Sequence, residues 1–303
     1  MSADSMDNLP YRSPAELADE NTRRHYWACA IGLQAVDGLE VSPYLRMAAD
    51  EHIRGERSLY ETGELIRSYH QTGGTATDDG ADSCKEADLV SQRIVEVLVR
   101  GTFALMPNIV AILHRELFRD LPHDVYRPGE YKLDALVKQE EILNGDSVLY
   151  ADPLLVEASL LYLFDEEREA GDYGFSLRGD DLARFSRFVS LLWQVHPFQE
   201  GNTRTVAVFS ALYLRNLGFD VGNEPFEHNA LYFRDALVRA NYRNSSADIA
   251  PDRTFVERFF DNLVNGASHS LDRTALLCSA LFDHPELLRN VSPSYALNQK
   301  HLR

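Results

Sequence analysis

The stretch HPFQEGNTRT, residues 196–205, brings together side chains that could move a proton and hold a phosphate. The imidazole of His196, with an ordinary pKa of about 6.5, suits the removal of a proton from a hydroxyl at neutral pH. Glu200 is the only carboxylate in the stretch, and a carboxylate beside a phosphate is a ligand that Mg²⁺ prefers. A base, a metal ligand and a phosphate cradle within nine residues are typical of a phosphoryl- or nucleotidyl-transfer site.

The cradle is predicted at the start of a helix. Asn202 is a favourable N-cap residue, and the amides that follow it lie at the positive end of that helix. Gly201 lets a ligand approach the backbone, so we expect Gly201, Asn202, Thr203 and Arg204 to surround phosphate oxygens. Phe198 is expected to anchor the loop in the core.

Two helices must position this loop. The residue before a proline avoids the α conformation, so the helix that contains SLLWQV should end at or just before His196. The next helix should begin near Asn202 and end at Leu217, with Gly218 as its C-terminal stop. Residues 196–201 are therefore a short connection between helices.

Taken singly, these residues have ordinary interpretations. A histidine at a helix end commonly acts as a cap, and Glu200 alone would be a solvated loop acid. Arg204 alone would be a surface residue in an ion pair. A metal site with His196 and Glu200 on one helical face fails, because Pro197 and Gly201 interrupt the helix. Only the combination favours a functional site.

The remaining patterns predict an all-α protein. With 303 residues, 45% of them hydrophobic, the chain can bury a substantial core. Apolar residues at helical spacing recur along most of its length. We divide it into an N-terminal helical region (1–72), a polar linker (73–84), a main domain (85–266) and a C-terminal tail (267–303).

Two kinds of local signal refine this division. Ser42 and Ser58 stand in helix-start positions in the N-terminal region. Asn144-Gly145 lies between two short apolar runs and is a strong two-residue hairpin signal. We therefore expect one β-hairpin, at residues 132–151, on an otherwise helical bundle.

Composition excludes several classes of protein. The formal net charge of −17 leaves no broad basic surface for nucleic-acid binding. Cys29, Cys84 and Cys278 lie far apart and match neither a zinc motif nor a disulfide framework. The start, MSADSMDNLPYRS, has no basic segment followed by an apolar run, and the longest apolar stretch is interrupted by Pro107. We expect a cytoplasmic protein that binds no membrane.

Residues 196–204 resemble the signature of the Fic family (filamentation induced by cAMP), written H-P-F-x-[D/E]-G-N-G-R-x-x-R. The resemblance covers roughly residues 85–266, where ILHRELF, VYRPGEY, the hairpin, the loop and the following helix occur in the family's order. It implies a Fic-type helical bundle whose β-hairpin is called the flap. It also implies a protein adenylyltransferase, which transfers AMP from ATP to a protein hydroxyl and releases pyrophosphate.

The resemblance implies a role for each site residue. His196 would be the general base, and Glu200 would hold Mg²⁺ against the phosphates of ATP. The phosphate site would be lined by Gly201, Asn202, Thr203 and Arg204. Asn241 would lie against the adenine, or else would simply cap the end of its helix.

The resemblance also implies a protein partner. The target would present a Ser, Thr or Tyr hydroxyl, aligned as an added strand by residues 132–151. The N-terminal region would regulate the site, dock a target, mediate homo-oligomer formation or serve as a packing scaffold.

The sequence departs from the family pattern at two positions. Thr203 replaces a glycine, and Ala207 replaces the second arginine, which in the family contacts the γ-phosphate and pairs with an inhibitory glutamate. The motif that carries this glutamate, [S/T]-x-x-x-E-[G/N], is missing. The nearest stretch, Thr75 to Gly80, has Asp79 in its place. The family's inhibitory contact and its hold on the γ-phosphate are therefore both in question.

Two alternatives to adenylyl transfer stay open. The same site could transfer UMP, phosphate or another phosphate-containing group. Alternatively, the chain could be a non-catalytic interaction module whose nucleotide site has decayed, as Ala207 suggests.

Overall fold

The structure, a computed structural model, describes residues 18–72, 81–174, 176–219, 221 and 224–289. These residues are mostly helical and contain no β-strand, apart from an isolated bridge between Asn244 and Ile249. The predicted helical bundle is confirmed. The α-helices are α1 (Glu20–Gly32), α2 (Pro43–Ile53), α3 (Leu59–Gln71), α4 (Ala81–Arg100), α5 (Ile109–Phe118), α6 (His123–Tyr126), α7 (Val156–Glu169), α8 (Asp180–Val195), α9 (Asn202–Asn216), α10 (Glu224–Asn241), α11 (Thr254–Asn265) and α12 (Ser279–Asp283).

Short 3-10 segments connect or extend several of these helices. They are Leu33–Asp37, Glu141–Leu143, Pro153–Leu155, Ser245–Ala247, Arg273–Leu276 and Pro285–Leu287. None of the described helices is long and apolar enough to cross a bilayer.

Helix α9 lies at the centre of the bundle. Every residue from Asn202 to Leu214 is buried. Most of these residues have apolar or small side chains, so the helix has no broad polar face that would require solvent. It packs against α4, α5 and α8, and its start meets the 3-10 segment Leu33–Asp37. The residues that follow the predicted cradle therefore belong to the most buried helix of the protein.

The N-terminal helices share one continuous hydrophobic core with the rest of the bundle. Helix α1 packs against α4 and α10. The predicted helix starts are confirmed: the Ser42 side chain accepts a hydrogen bond from the Leu45 amide, and Ser58 forms a capping box with Glu61. Residues 73–80, most of the predicted linker and all of the stretch from Thr75 to Gly80, lie outside the described residues. The domain boundaries stay predictions.

The predicted β-hairpin at residues 132–151 is not confirmed, since this segment contains no strand. Asn144 and Gly145 do have positive φ angles of 52° and 85°, as an Asn-Gly turn requires. One hairpin-like hydrogen bond, from the Glu140 amide to the Asp146 carbonyl, spans the turn at 2.9 Å. Residues Glu141–Leu143 form a 3-10 segment, whereas in a hairpin with a two-residue turn they would be strand residues. We call residues 132–151 the flap segment.

Part of the predicted C-terminal tail holds the flap segment in place. The Cys278 amide donates to the Ile142 carbonyl at 3.0 Å, and Asn144 Nδ2 donates to the Leu281 carbonyl at 2.9 Å. Arg289 forms an ion pair with Asp146, with a distance of 3.2 Å from Nε to Oδ2. Residues 278–289 thus hold the tip of the flap segment in place.

The close approach of α1 and α10 depends on Gly32. A Cβ atom at this position would lie 2.5 Å from the Glu227 carbonyl oxygen and 2.6 Å from its Cα, both backbone atoms. We expect Gly32→Ala to lower the free energy of unfolding by about 1 to 3 kcal/mol, because the two helices must separate. Denaturant unfolding followed by circular dichroism measures this change.

Gly63 in α3 provides the matched control. Its added Cβ would meet mainly the flexible end of the Gln92 side chain, at 2.5 Å. Gly63→Ala should therefore cost clearly less than Gly32→Ala. Equal costs would show that the α1–α10 contact is not the constraint.

Candidate functional site

The loop between α8 and α9 begins and ends with left-handed residues. His196 terminates α8 with φ 49°, and Gly201 precedes α9 with φ 72°. The predicted helix–loop–helix arrangement is confirmed, but the predicted N-cap is wrong. Gly201 is the N-cap residue, and Asn202 is the first residue of α9. The Asn202 side chain instead exchanges two hydrogen bonds with the Phe198 backbone, at 3.0 and 2.8 Å, which closes the loop upon itself.

His196 lies between two aromatic side chains. Its ring is 3% exposed, stacks on Tyr150 of the flap segment at 4.0 Å and meets Trp193 edge-on at 5.5 Å. Neither ring nitrogen has a hydrogen-bond partner among the described residues. Burial, together with the nearby charges of Lys138 and Lys132, lowers the pKa of His196 well below its ordinary value. The ring is therefore neutral, and Tyr150 covers one of its faces.

His114 supports the loop from α5. Its Nε2 donates to the Glu200 carbonyl at 3.1 Å, and its Nδ1 accepts from the Gly129 amide at 2.9 Å. Its ring stacks on Phe198 at 3.8 Å, and Phe198 is fully buried, so the predicted anchoring role of Phe198 is confirmed. Burial lowers the pKa of His114 to about 3, which keeps the imidazole neutral.

Gly201 is required for packing. A Cβ atom there would lie 2.2 Å from Cζ of Phe118, whose ring covers that face of the glycine. The sequence predicts that Gly201 lets a ligand approach the backbone closely. On the side of Gly201 where a Cβ atom would lie, the Phe118 ring contacts the backbone instead of a ligand.

The first three amides of α9 form the open part of the cradle. Among the described residues, the backbone amides of Asn202, Thr203 and Arg204 donate no hydrogen bond. Thr203 stands where the Fic signature has a glycine. Its hydroxyl accepts a hydrogen bond from Trp193 Nε1 at 3.0 Å. Unpaired amides at a helix N-terminus favour an anion.

The Arg204 side chain points toward the N-terminal region of the chain. Its Nη1 donates to Gln34 Oε1 at 3.0 Å, and its Nη2 donates to Glu86 Oε1 at 2.6 Å. Nε lies 2.8 Å from Asp37 Oδ2 as an ion pair whose N–H does not point at the oxygen. At 1% exposure, this guanidinium is neutralised by two carboxylates within the fold. Its predicted contact with a phosphate stays a prediction.

Glu200 is the most accessible charged group of the loop. Its Oε2 lies 2.8 Å from Nζ of Lys138 in the flap segment, and the two side chains are 42% and 30% exposed. The described residues contain no group of three or more His, Cys, Asp or Glu side chains that could hold a metal. A cation at Glu200 would therefore take its other ligands from water or a substrate, as Mg²⁺ commonly does.

Asn241 lies at the end of α10, where its Nδ2 donates to the carbonyls of Ser190 and Leu237, both at 2.9 Å. The bond to Ser190 ties α10 to α8, and the bond to Leu237 lies within the last turn of α10, as in the capping alternative. Its contact with adenine stays a prediction. Ala207 stands where the family has its second arginine. It is 1% exposed and supplies no charge at that position.

Several residues of the site were not predicted from the sequence. Tyr150, Lys132 and Lys138 come from the flap segment, and Lys132 attaches that segment to the loop, because its amide donates to the Pro197 carbonyl at 2.8 Å. Glu86 and Asp37 come from the region before residue 105. In the sequence, the signal for the support of the loop was the segment ILHRELF, which contains His114 and occurs in the order of the Fic family's segments.

Comparison with known proteins finds one family match within the chain. Residues 105–214 match the Fic/DOC family. The chain contains a Fic/DOC domain. The fold is similar to the crystal structure of a Fic family protein from Desulfovibrio desulfuricans G20, with a TM-score of 0.50 and 15% identity over 90% of this chain and 68% of that one. At this identity the similarity concerns the fold alone. A search of curated proteins gives no match.

The match places most of the candidate site inside the Fic/DOC domain. It includes the flap segment, His114 and the whole loop from His196 to Arg204. The carboxylates that neutralise Arg204 lie outside it, on Asp37 and Glu86. The predicted resemblance to the Fic family is confirmed.

The ion pairs of Arg204 yield a stability prediction. Arg204→Met leaves the carboxylates of Asp37 and Glu86, which are 32% and 22% exposed, without their cation, and we expect it to lower the unfolding free energy by about 2 to 3 kcal/mol. Arg24→Met is the control, because Arg24 pairs with Glu20 on the surface, where the side chains are 53% and 57% exposed. It should cost less than about 1 kcal/mol. Similar losses in urea unfolding would contradict a structural role for Arg204.

The buried imidazole of His114 yields a pH prediction. Its pKa in the folded protein is about 3, below the unfolded value of about 6.5, so the unfolded state binds more protons between these values. Its contribution to stability is complete above pH ~6.5 and is lost as the pH falls toward ~3. Between pH 7.5 and pH 5 this amounts to about 2 kcal/mol.

His114→Leu removes this titration. The variant should be less stable than the wild type at pH 7.5, because the loop loses two hydrogen bonds, but it should lose less stability on acidification. Denaturant unfolding at both pH values gives the comparison. An identical pH dependence in the two proteins would contradict burial of a neutral His114.

Proposed function

We propose that the chain is a protein adenylyltransferase that moves AMP from ATP to a hydroxyl side chain of a target protein, with Mg²⁺. One observation carries the proposal. Among the described residues, a buried imidazole without a hydrogen-bond partner and three amides without a hydrogen-bond partner lie at the two ends of one six-residue loop, within the Fic/DOC match. Such unsatisfied groups cost stability, which favours a ligand that satisfies them.

His196 would act as the general base. In the proposed reaction the target hydroxyl oxygen attacks the α-phosphorus, the bond to pyrophosphate breaks, and the hydroxyl proton passes to the imidazole. The ring is neutral in the structure and therefore has a free lone pair. Both ring nitrogens are buried, so a hydroxyl can reach them only if neighbouring groups move, and Tyr150, which stacks on the ring at 4.0 Å, is one such group. We propose that a target segment displaces Tyr150 when it binds along the flap segment, residues 132–151.

The start of α9 would hold the phosphates. The amides of Asn202, Thr203 and Arg204 donate toward an anion, and the helix dipole adds to their effect. Gly201 allows the turn that presents them. We propose that the Arg204 side chain fixes this turn through the N-terminal carboxylates, and that Asn241 lies near the adenine end of the nucleotide.

Glu200 would hold the metal. Its carboxylate is partly exposed and already attracts a cation, the Lys138 ammonium, so the donor chemistry fits Mg²⁺. Bound there, Mg²⁺ would neutralise charge on the phosphates of ATP. Use of ATP agrees with action in the cytoplasm.

A second candidate keeps the site but changes the transferred group. Arg204 is neutralised within the fold and Ala207 is buried, so the contacts to the end of a triphosphate differ from the family pattern. This favours a test of other donors, such as UTP for UMP and the γ-phosphate of ATP for phosphate. A decayed, non-catalytic site is less favourable, because a scaffold gains nothing from a buried imidazole without partners.

Transfer of labelled nucleotide to protein tests the proposal. Purified protein, Mg²⁺, α-labelled ATP and a cell lysate should give labelled protein bands, and His196→Ala should reduce the labelling at least about 100-fold. His228→Ala is the control, since His228 is a surface histidine whose side chain is 68% exposed. It should label like the wild type.

Parallel reactions with α-labelled UTP and γ-labelled ATP identify the donor. Labelling from one of these, and none from α-labelled ATP, would replace adenylyl transfer with the second candidate. Labelling that survives His196→Ala would contradict the role of His196.

A further inference from the structure

The ion pair between Lys138 and Glu200 lies where the proposed metal and phosphates would bind. Nζ of Lys138 is 2.8 Å from Oε2 of Glu200, so the ammonium occupies the position of a cation bound to this carboxylate. Both side chains are partly exposed, which keeps the cost of exchanging partners small. A divalent cation that binds Glu200 must displace Lys138.

The other cation predicted for the phosphates is already neutralised. Each of the three guanidinium nitrogens of Arg204 lies within 3.0 Å of an oxygen of Gln34, Glu86 or Asp37. To turn Arg204 toward a ligand would leave two carboxylates without their cation. Ala207, 1% exposed, supplies no charge. A triphosphate at the start of α9 therefore needs a cation from another part of the chain.

Three cationic side chains lower the pKa of His196 through their charge: Lys138, Lys132 and Arg234. Lys132 is 3% exposed and its Nζ donates to the Val195 carbonyl at 3.3 Å. Arg234 is bound to the buried Glu140 at 2.6 Å. Lys138 differs from both, because its partner is the carboxylate that the metal would take and its side chain is long and 30% exposed.

We propose that Lys138 is the phosphate-binding cation of this site, in the place of the missing second arginine. Without a nucleotide, Lys138 neutralises Glu200. When a metal and a nucleoside triphosphate bind, the metal takes the Glu200 carboxylate and the Lys138 ammonium turns to a phosphate oxygen. The flap segment thus supplies a charge to the nucleotide in addition to any contact with the target. This inference rests on the proposed function.

The exchange predicts opposite effects of one substitution on two ligands. Lys138→Met removes the charge and keeps much of the side-chain length. A metal alone should bind the variant about 10-fold more tightly, because no ammonium competes for Glu200. ATP with saturating Mg²⁺ should bind about 10-fold more weakly, because the metal holds Glu200 and the charge-assisted hydrogen bond from Lys138 to the phosphate is lost. A purely structural role of Lys138 would weaken both or change neither.

Two binding measurements on the full chain provide the test. Mn²⁺ binding is followed by loss of the free-ion electron paramagnetic resonance signal, and ATP binding in saturating Mg²⁺ is followed by calorimetry. Lys138→Arg should retain tight ATP binding, since it keeps the charge. Arg24→Met, which removes the same charge from an exposed surface pair, should change neither affinity. Circular dichroism verifies that each variant is folded.

The outcomes separate this inference from the proposed function. Tighter Mn²⁺ binding and weaker ATP binding in Lys138→Met support the exchange. If the wild type binds both ligands, Glu200→Ala weakens Mn²⁺ binding, and Lys138→Met shifts the two affinities in the same direction or not at all, the inference is wrong and the proposed function stands. If the wild type binds neither ligand, both are wrong.

Discussion

The buried charge of Arg204 is the constraint on which the site depends. A guanidinium at 1% exposure must be neutralised, and the fold does this with Asp37 from the 3-10 segment after α1 and Glu86 from α4. Tyr126, whose hydroxyl donates to Glu86, completes this cluster. Since Arg204 belongs to the first turn of α9, the start of this helix is held against the N-terminal helices. The N-terminal region is thereby part of the site's support.

A second set of contacts closes the site in the described structure. Tyr150 covers His196, Lys138 neutralises Glu200, and residues 278–289 clamp the tip of the flap segment. The flap segment therefore joins three parts: the loop, the α8 end and the C-terminal residues. Its internal backbone hydrogen bonds are confined to residues 140–146, and no strand ladder forms. The rest of the segment can therefore move without breaking a sheet.

The sequence predicted those features of the fold that depend on residues close together in the chain, such as turns and helix ends. Pro197 and the two glycines at 201 and 218 define the bounds of the loop and of α9, because these residue types restrict or release the backbone locally. Asn144-Gly145 predicted a turn correctly, but the strands on either side are not confirmed, since a 3-10 segment and the C-terminal contacts take up the backbone groups. Turn chemistry alone does not establish a strand.

Long-range charge pairing could not be predicted. Arg204 and Glu86 are 118 residues apart in the chain, and Lys138 and Glu200 are 62 apart. No periodicity or motif links such pairs, and their choice depends on which helices pack together. The same limit applies to the pKa of His196, which depends on burial by Tyr150 and Trp193. The motif locates the chemistry, whereas the tertiary structure determines which charges are available for it.

Mass spectrometry of proteins co-expressed with the wild-type chain, and with His196→Ala, tests the central claim most directly. If a triphosphate binds at the start of α9 and His196 activates a hydroxyl, peptides from the wild-type culture should carry an adenylyl group on Ser, Thr or Tyr, and those from the variant culture should not. Adenylylated peptides at equal levels in both cultures, or in neither, would contradict the account.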